Sequence, residues 1–188
     1  MHRDLPTYEE LLKIFSSEKL KPLRIITLAL CLGVLAFFVV IMILYYTQYG
    51  SGADNSSTEM LEILLMVVMV ATVTLLAILF LAGDRIFAGM VKVRKFTAAD
   101  ISNPESRSIL SLITTFTIIR LAMFEGVSFF GLITLLLSVL GGVLDTKPVF
   151  WLSILPILFM FFYAFIIFPT SERVAQLVQD KIYPLIEE

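Results

Sequence analysis

Long apolar stretches alternate with short polar ones along the whole chain, and four of the apolar stretches stand out: residues 23–46, 60–82, 109–144 and 149–168. The hydrocarbon core of a bilayer is about 30 Å thick, and a helix needs about 20 predominantly apolar residues to cross it. Each stretch meets that length. Backbone in lipid must satisfy its own hydrogen bonds, which makes the stretches helices. A barrel would instead show alternating segments of about ten residues, and the sequence has none. The expected fold is therefore all-α. It is a polytopic membrane four-helix bundle over residues 23–168, with an N-terminal segment 1–22 and a tail 169–188.

The polar margins carry helix signals of their own. Thr7 with Glu10 forms a capping box, with Pro6 before it. Tyr8, Leu11, Leu12 and Phe15 then share one helical face. This pattern predicts a short amphipathic helix on the inner membrane surface; a partner-binding helix is the alternative. Ser56 with Glu59 caps the second span. Asn103-Pro104-Glu105 reads as an N-cap, a proline at the first helical position and an early acid. The third helix then starts near Pro104 and is overlong. Its apolar lead, residues 104–119, should be covered by other parts of the protein. Pro156 is expected to kink the fourth helix.

Charge adds direction. Lys and Arg number five in residues 1–24 (Arg3, Lys13, Lys19, Lys21 and Arg24), none in 47–59, five in 84–108, one in the turn at 145–148 and two in the tail. Positive residues favour the cytoplasmic side, so both termini are expected inside the cell, the membrane being a bacterial inner (plasma) membrane. Tyr45, Tyr46, Tyr49, Phe150 and Trp151 sit at expected outer interfaces. The first span follows more than twenty polar-rich residues and ends without a small-residue cleavage site, so it reads as retained rather than as a signal peptide.

Composition agrees, and it excludes several classes. The 188 residues are 59% hydrophobic and 16% charged, whereas soluble domains carry about a quarter charged residues. A net charge of −2 without a basic stripe excludes nucleic acid as a partner. Cys31 is the only cysteine and His2 the only histidine, so neither an intrachain disulfide nor a thiolate–imidazole metal site is expected. Met60, Met66 and Met69 read as packing. Asn55-Ser56-Ser57 matches a glycosylation sequon. No cofactor is expected.

Candidate chemistry lies in the third helix. A charged side chain at mid-membrane costs about 2.5–3.5 kcal/mol on insertion scales, and this helix holds Arg120 and Glu125. Counting about 20 residues inward from Gly142 puts the inner boundary near Leu121. Arg120 then lies at the interface and Glu125 about one turn inside. Reflection through the outer turn brings Glu172 and Arg173 to similar depth, which predicts a polar cluster of Arg120, Glu125, Glu172 and Arg173. Ser128, Gly131, Leu135, Ser138 and Gly142 form a stripe of mostly small residues suited to close helix packing. Arg120 and Glu125 flank that stripe about 140° apart and do not form an i,i+4 pair. Structural clamps, a proton or ion relay, and a ligand or lipid-headgroup site are the readings open.

Two resemblances attach to these residues. The stretch 120–131 is similar to the final helix of proteolipid c subunits of rotary ATPases. That family has glycine-rich helices, however, and the first span here has only Gly33; the second span also lacks a second mid-membrane carboxylate. The whole chain better resembles a family of small four-helix inner-membrane proteins of bacteria. They carry an Arg-x4-Glu-Gly motif in helix three, here Arg120 to Gly126, and a Pro-Thr/Ser step after helix four, here Pro169-Thr170-Ser171. The resemblance implies this architecture and no defined activity.

Three functions follow as expectations. The first is a non-enzymatic accessory, assembly or scaffolding subunit, with the lipid bilayer and other membrane subunits or further copies as partners. The second is a small oligomeric transporter or channel with Arg120 and Glu125 lining an inner-face site. An intramembrane enzyme is disfavoured, because no metal-ligand set, Gly-x-Ser-x-Gly, Cys/His pair or phosphate loop occurs.

Overall fold

The computed structural model describes residues 5–48, 58–94 and 107–186, and these are mostly helical with no strand among them. His2, Asn55-Ser56-Ser57 and Asn103-Pro104-Glu105 lie outside the described residues. The elements are α1 (Tyr8–Ile14), α2 (Ser17–Gln48), α3 (Thr58–Ala77), a π turn (Ile78–Ala82), α4 (Gly83–Arg94), α5 (Arg107–Leu140), a 3-10 turn (Pro148–Ile154), α6 (Leu155–Ile166), α7 (Ser171–Leu177), a second π turn (Val178–Ile182) and α8 (Tyr183–Ile186). Four helical stretches are long and apolar enough to cross a membrane: Ser17–Thr47, Thr58–Val93, Ile109–Leu140 and Pro148–Ile166. The protein is thus all-helical and of multi-pass membrane type.

Several boundaries differ from those the apolar pattern predicts, each for a local reason. The second span does not stop at residue 82. Its helix runs on to Arg94 because Gly83, Phe87 and Val91 continue a buried stripe at spacings of four. That stripe explains the π turn. Thr58, Leu61, Leu65, Val68, Thr72, Leu75 and Leu79 are buried at alternating spacings of three and four. Continuing that rhythm would bury Ala82 and Ile86; instead Gly83 and Phe87 are buried, each one residue later. A π turn accommodates one extra residue without rotating the faces on either side. The third helix ends at Leu140, short of residue 144. Gly142 has φ of 63°, its N–H bonds the Val139 carbonyl at 3.0 Å, and the Val143 N–H bonds Ser138 at 3.0 Å. This is a Schellman stop, which glycine's left-handed freedom permits. Pro156 makes no mid-helix kink. It is the second residue of α6, where a proline removes little bonding, and a 3-10 turn leads into it.

The chain divides into two compact units. Unit 1 takes Met1–Thr27, Ile78–Arg120 and Ile167–Glu188. Its core joins Leu11 and Phe15 of α1, Phe87 and Val91 of α4, Ile109, Leu112 and Phe116 of α5, and Val174, Val178 and Ile182 after the fourth span. The apolar lead of the third helix is thus covered by protein, as its sequence requires. The Phe87 and Phe116 rings meet at 4.9 Å between centroids. α1 forms with the expected cap: the Glu10 N–H donates to Thr7 Oγ1 at 3.4 Å, and the Thr7 N–H donates to Glu10 Oε2 at 2.8 Å. Its apolar face, however, is not spread on a membrane surface. Leu11 is fully buried and Phe15 nearly so, both inside this core. The tail folds as well. Thr170 caps α7, and Lys181 Nζ pairs with Asp84 Oδ2 at 2.7 Å.

Tyr183 latches the two ends of the chain. Its hydroxyl donates to the Pro6 carbonyl at 2.7 Å. Burial, then the Glu10 carboxylate, pushes the phenol up to about 12 from 10.0. Only the neutral phenol can donate, and its folded value lies above the unfolded one. The contribution is therefore whole below about pH 10 and is lost as pH rises toward 12. Tyr183→Phe is expected to lower unit 1 stability by about 0.5–1.5 kcal/mol and to flatten this alkaline decline. Thermal unfolding of the solubilised protein across that pH range is the measurement.

Unit 2 takes Leu28–Ala77 and Leu121–Ile166. Of the four apolar spans the third is the most enclosed and α2 the least. Phe124, Ser128, Leu132, Leu135 and Ser138 turn inward. At Gly131 an added Cβ would run into the Ser153 carbonyl oxygen and lie 3.4 Å from Pro156 Cγ. The small residue therefore permits a close backbone approach. At the other end of these segments, Tyr45 donates to Asp145 Oδ1 at 2.9 Å and sets its ring edge-on to Trp151 at 5.6 Å. Lys147 Nζ pairs with Glu62 Oε1 at 2.5 Å. The expected interfacial aromatics Tyr45 and Trp151 thus pack on each other.

Candidate functional site

The side chains singled out by sequence fall into both units. Arg120, Glu172 and Arg173 belong to unit 1, and Glu125 and the packing stripe belong to unit 2. Within the stripe, Ser128, Leu135 and Ser138 are fully buried and Gly131 lies at the close approach. Gly142 lies past the helix end and serves as its stop.

Arg120 is half-buried on α5, one turn beyond Phe116. Its guanidinium carbon stands 4.2 Å from the Phe116 ring centroid, a cation–π contact. Its Nη2 presses on Gly83, where any Cβ would collide with it. Nε is sealed from solvent and has no hydrogen-bond acceptor. Unlike Lys147, which pairs with Glu62, and Lys181, which pairs with Asp84, Arg120 forms no ion pair with a described carboxylate. Glu172 instead occupies the first turn of α7, where a negative charge suits the helix dipole. The Arg173 N–H donates to the Thr170 hydroxyl at 3.3 Å. Glu125 is half-buried and makes no hydrogen bond or ion pair with a described residue.

Arg24, unmarked by any sequence motif, acts as a clamp. Its Nε donates to the Pro169 carbonyl and its Nη1 to Ser17 Oγ, both at 2.8 Å. It thereby ties the start of α2 to the break after the fourth span. The available signal was its position, a cation two residues into an apolar run. Gly83 was missed as well, because nothing local marks a glycine that admits a distant guanidinium.

The buried hydroxyls of unit 2 are mostly turned onto their own helices. Thr72 donates to Val68, Thr134 to Phe130, Ser138 to Thr134 and Ser153 to Phe150, at 2.7–2.9 Å. Ser128 Oγ alone among these buried Ser and Thr groups lacks a partner. Cys31 is a free thiol, and no group of three or more metal-ligating side chains forms among the described residues. No protein-family model, curated protein or solved structure matches the chain. The resemblance to bacterial four-helix inner-membrane proteins is carried by the motifs at 120–126 and 169–171 alone.

Proposed function

We propose that the chain is a non-enzymatic accessory, assembly or scaffolding subunit of a membrane complex. Unit 2 forms its membrane part, and unit 1 is a helical domain at the inner face of a bacterial plasma membrane. The observation that carries this reading is the apolar core of unit 1. It is built from segments before, between and after the spans, so it is a folded domain rather than a set of loops. The unit 2 portions of the four apolar helices each amount to about 20 residues, the length one crossing needs. The latch from Tyr183 to Pro6 supports an even number of crossings. The Lys and Arg distribution supports placing that side in the cytoplasm. Hydroxyls bonded back to their own helices argue against a polar path, and the working surface is then the unit 1 exterior.

Single cysteines at Lys21, Lys147 and Glu172, in a Cys31→Ser background, test the topology. Membrane-impermeant thiol reagents are expected to reach 21 and 172 from one side and 147 from the other. Purification in mild detergent, with mass spectrometry of stoichiometric partners, tests the role. A larger membrane partner in fixed ratio supports it. A small oligomeric transporter or channel is the second reading, favoured by the unpaired Glu125. It requires a lone oligomer with a thiol-accessible aqueous path through unit 2, and that result would displace the scaffold.

A further inference from the structure

We propose that Arg120 is a binding site for a phosphate group, one presented at the membrane boundary by a lipid headgroup or carried by a soluble anion. A guanidinium has five N–H donors in a rigid fork and always keeps its charge. Here the fork is held in place but not satisfied. Phe116 supports its face, Gly83 makes room for Nη2, and Nε is buried without an acceptor. No described carboxylate neutralises it. A buried donor left unbonded is costly and calls for a partner, and Arg120 is not wholly enclosed, so part of the residue stays exposed to receive one.

The chemistry of that partner follows from shape, charge and depth. A planar fork matches two oxygens of one anion, and phosphate supplies them bidentately. Arg120 is the last unit 1 residue on α5, about 20 residues before the helix ends, which is one membrane crossing. That is the level at which lipid phosphates lie. Gly83 follows directly on a π turn, a distortion that recurs at functional sites. The lipid source rests on the membrane reading above, whereas the phosphate chemistry does not. Failure of the cysteine topology map would remove the first and leave the second standing.

Native mass spectrometry of the full chain tests the proposal, using phosphatidylglycerol, diacylglycerol and inorganic phosphate as separate probes. Wild-type protein is expected to retain phosphatidylglycerol and not the phosphate-free diacylglycerol. Arg120→Gln is expected to retain at least about tenfold less, the loss of one charge-assisted bidentate contact. Arg85→Gln, an exposed cation on α4, should retain as much as wild type. Binding of inorganic phosphate that depends on Arg120, without lipid retention, assigns the same site to a soluble anion. Arg120→Lys keeps the charge and loses the fork, so it stands in if the glutamine variant does not fold. It is expected to bind more weakly than wild type. Equal retention by wild type and the Arg120 variants, or no phosphate-bearing probe held by wild type, overturns the proposal.

Discussion

Gly131→Val is expected to break the packing between α5 and the fourth span. The new side chain would enter space held by the Ser153 carbonyl oxygen, and a backbone atom cannot rotate aside as a side-chain tip can. Pro156 closes the other flank at 3.4 Å from the first added carbon. Overpacking of a tight core costs about 1–3 kcal/mol even for small additions. Gly131→Ala should fall in that range, and the branched valine above it. The contrast lies in the same chain. Gly33 and Gly126 have nothing within 4 Å of an added Cβ. Alanine at either is expected to be neutral or to stabilise by up to about 1 kcal/mol, since it fits and favours the helix. Unfolding in mixed micelles, followed by tryptophan fluorescence from Trp151, gives the order. If Gly131→Val matches wild type, the close approach is wrong.

The second large effect is expected in unit 1. Leu112 is fully buried among residues of the unit 1 core. Truncation to alanine should cost about 2–5 kcal/mol. Leu112→Asp places a charge where no partner is available and should unfold the domain outright. The neighbouring Ser111 is exposed, so Ser111→Asp serves as the control with little effect. Limited proteolysis in lipid nanodiscs separates the outcomes. In Leu112→Asp the segments 8–22 and 171–186 should be cut early, while the spans stay protected. Protection of both segments as in wild type would show that unit 1 does not depend on this core.

Legibility from sequence followed the range of the forces involved. Local rules were readable: the Thr7 capping box is present, and four apolar stretches became four candidate spans. The apolar lead of the third helix announced its own need for cover. Long-range packing was not readable. The hydrophobic face of α1 fits a membrane surface and a protein core equally well, and only the presence of Val174, Val178 and Ile182 decides between them. The continuation of the second span to Arg94 depends on Phe87 finding Phe116. At the candidate site, Arg120 was visible as an unusual residue. Its depth could be counted, but its neighbours Gly83 and Phe116 came from a distant helix and from its own preceding turn.

The π turn at Ile78–Ala82 also bears on how this gene can change length. A π turn is in effect an α-helix that has absorbed one surplus residue. Loss of one codon within those five positions would restore a plain α-helix and leave the facing of Leu75, Gly83 and Phe87 intact. Loss of one codon elsewhere between Thr58 and Phe87 would turn the later side chains by about 100° relative to the earlier ones, taking Phe87 and Val91 out of line with the stripe before them. The rod thus has a single stretch where a one-residue deletion can be tolerated, and related chains lacking a residue there would keep the same buried stripe.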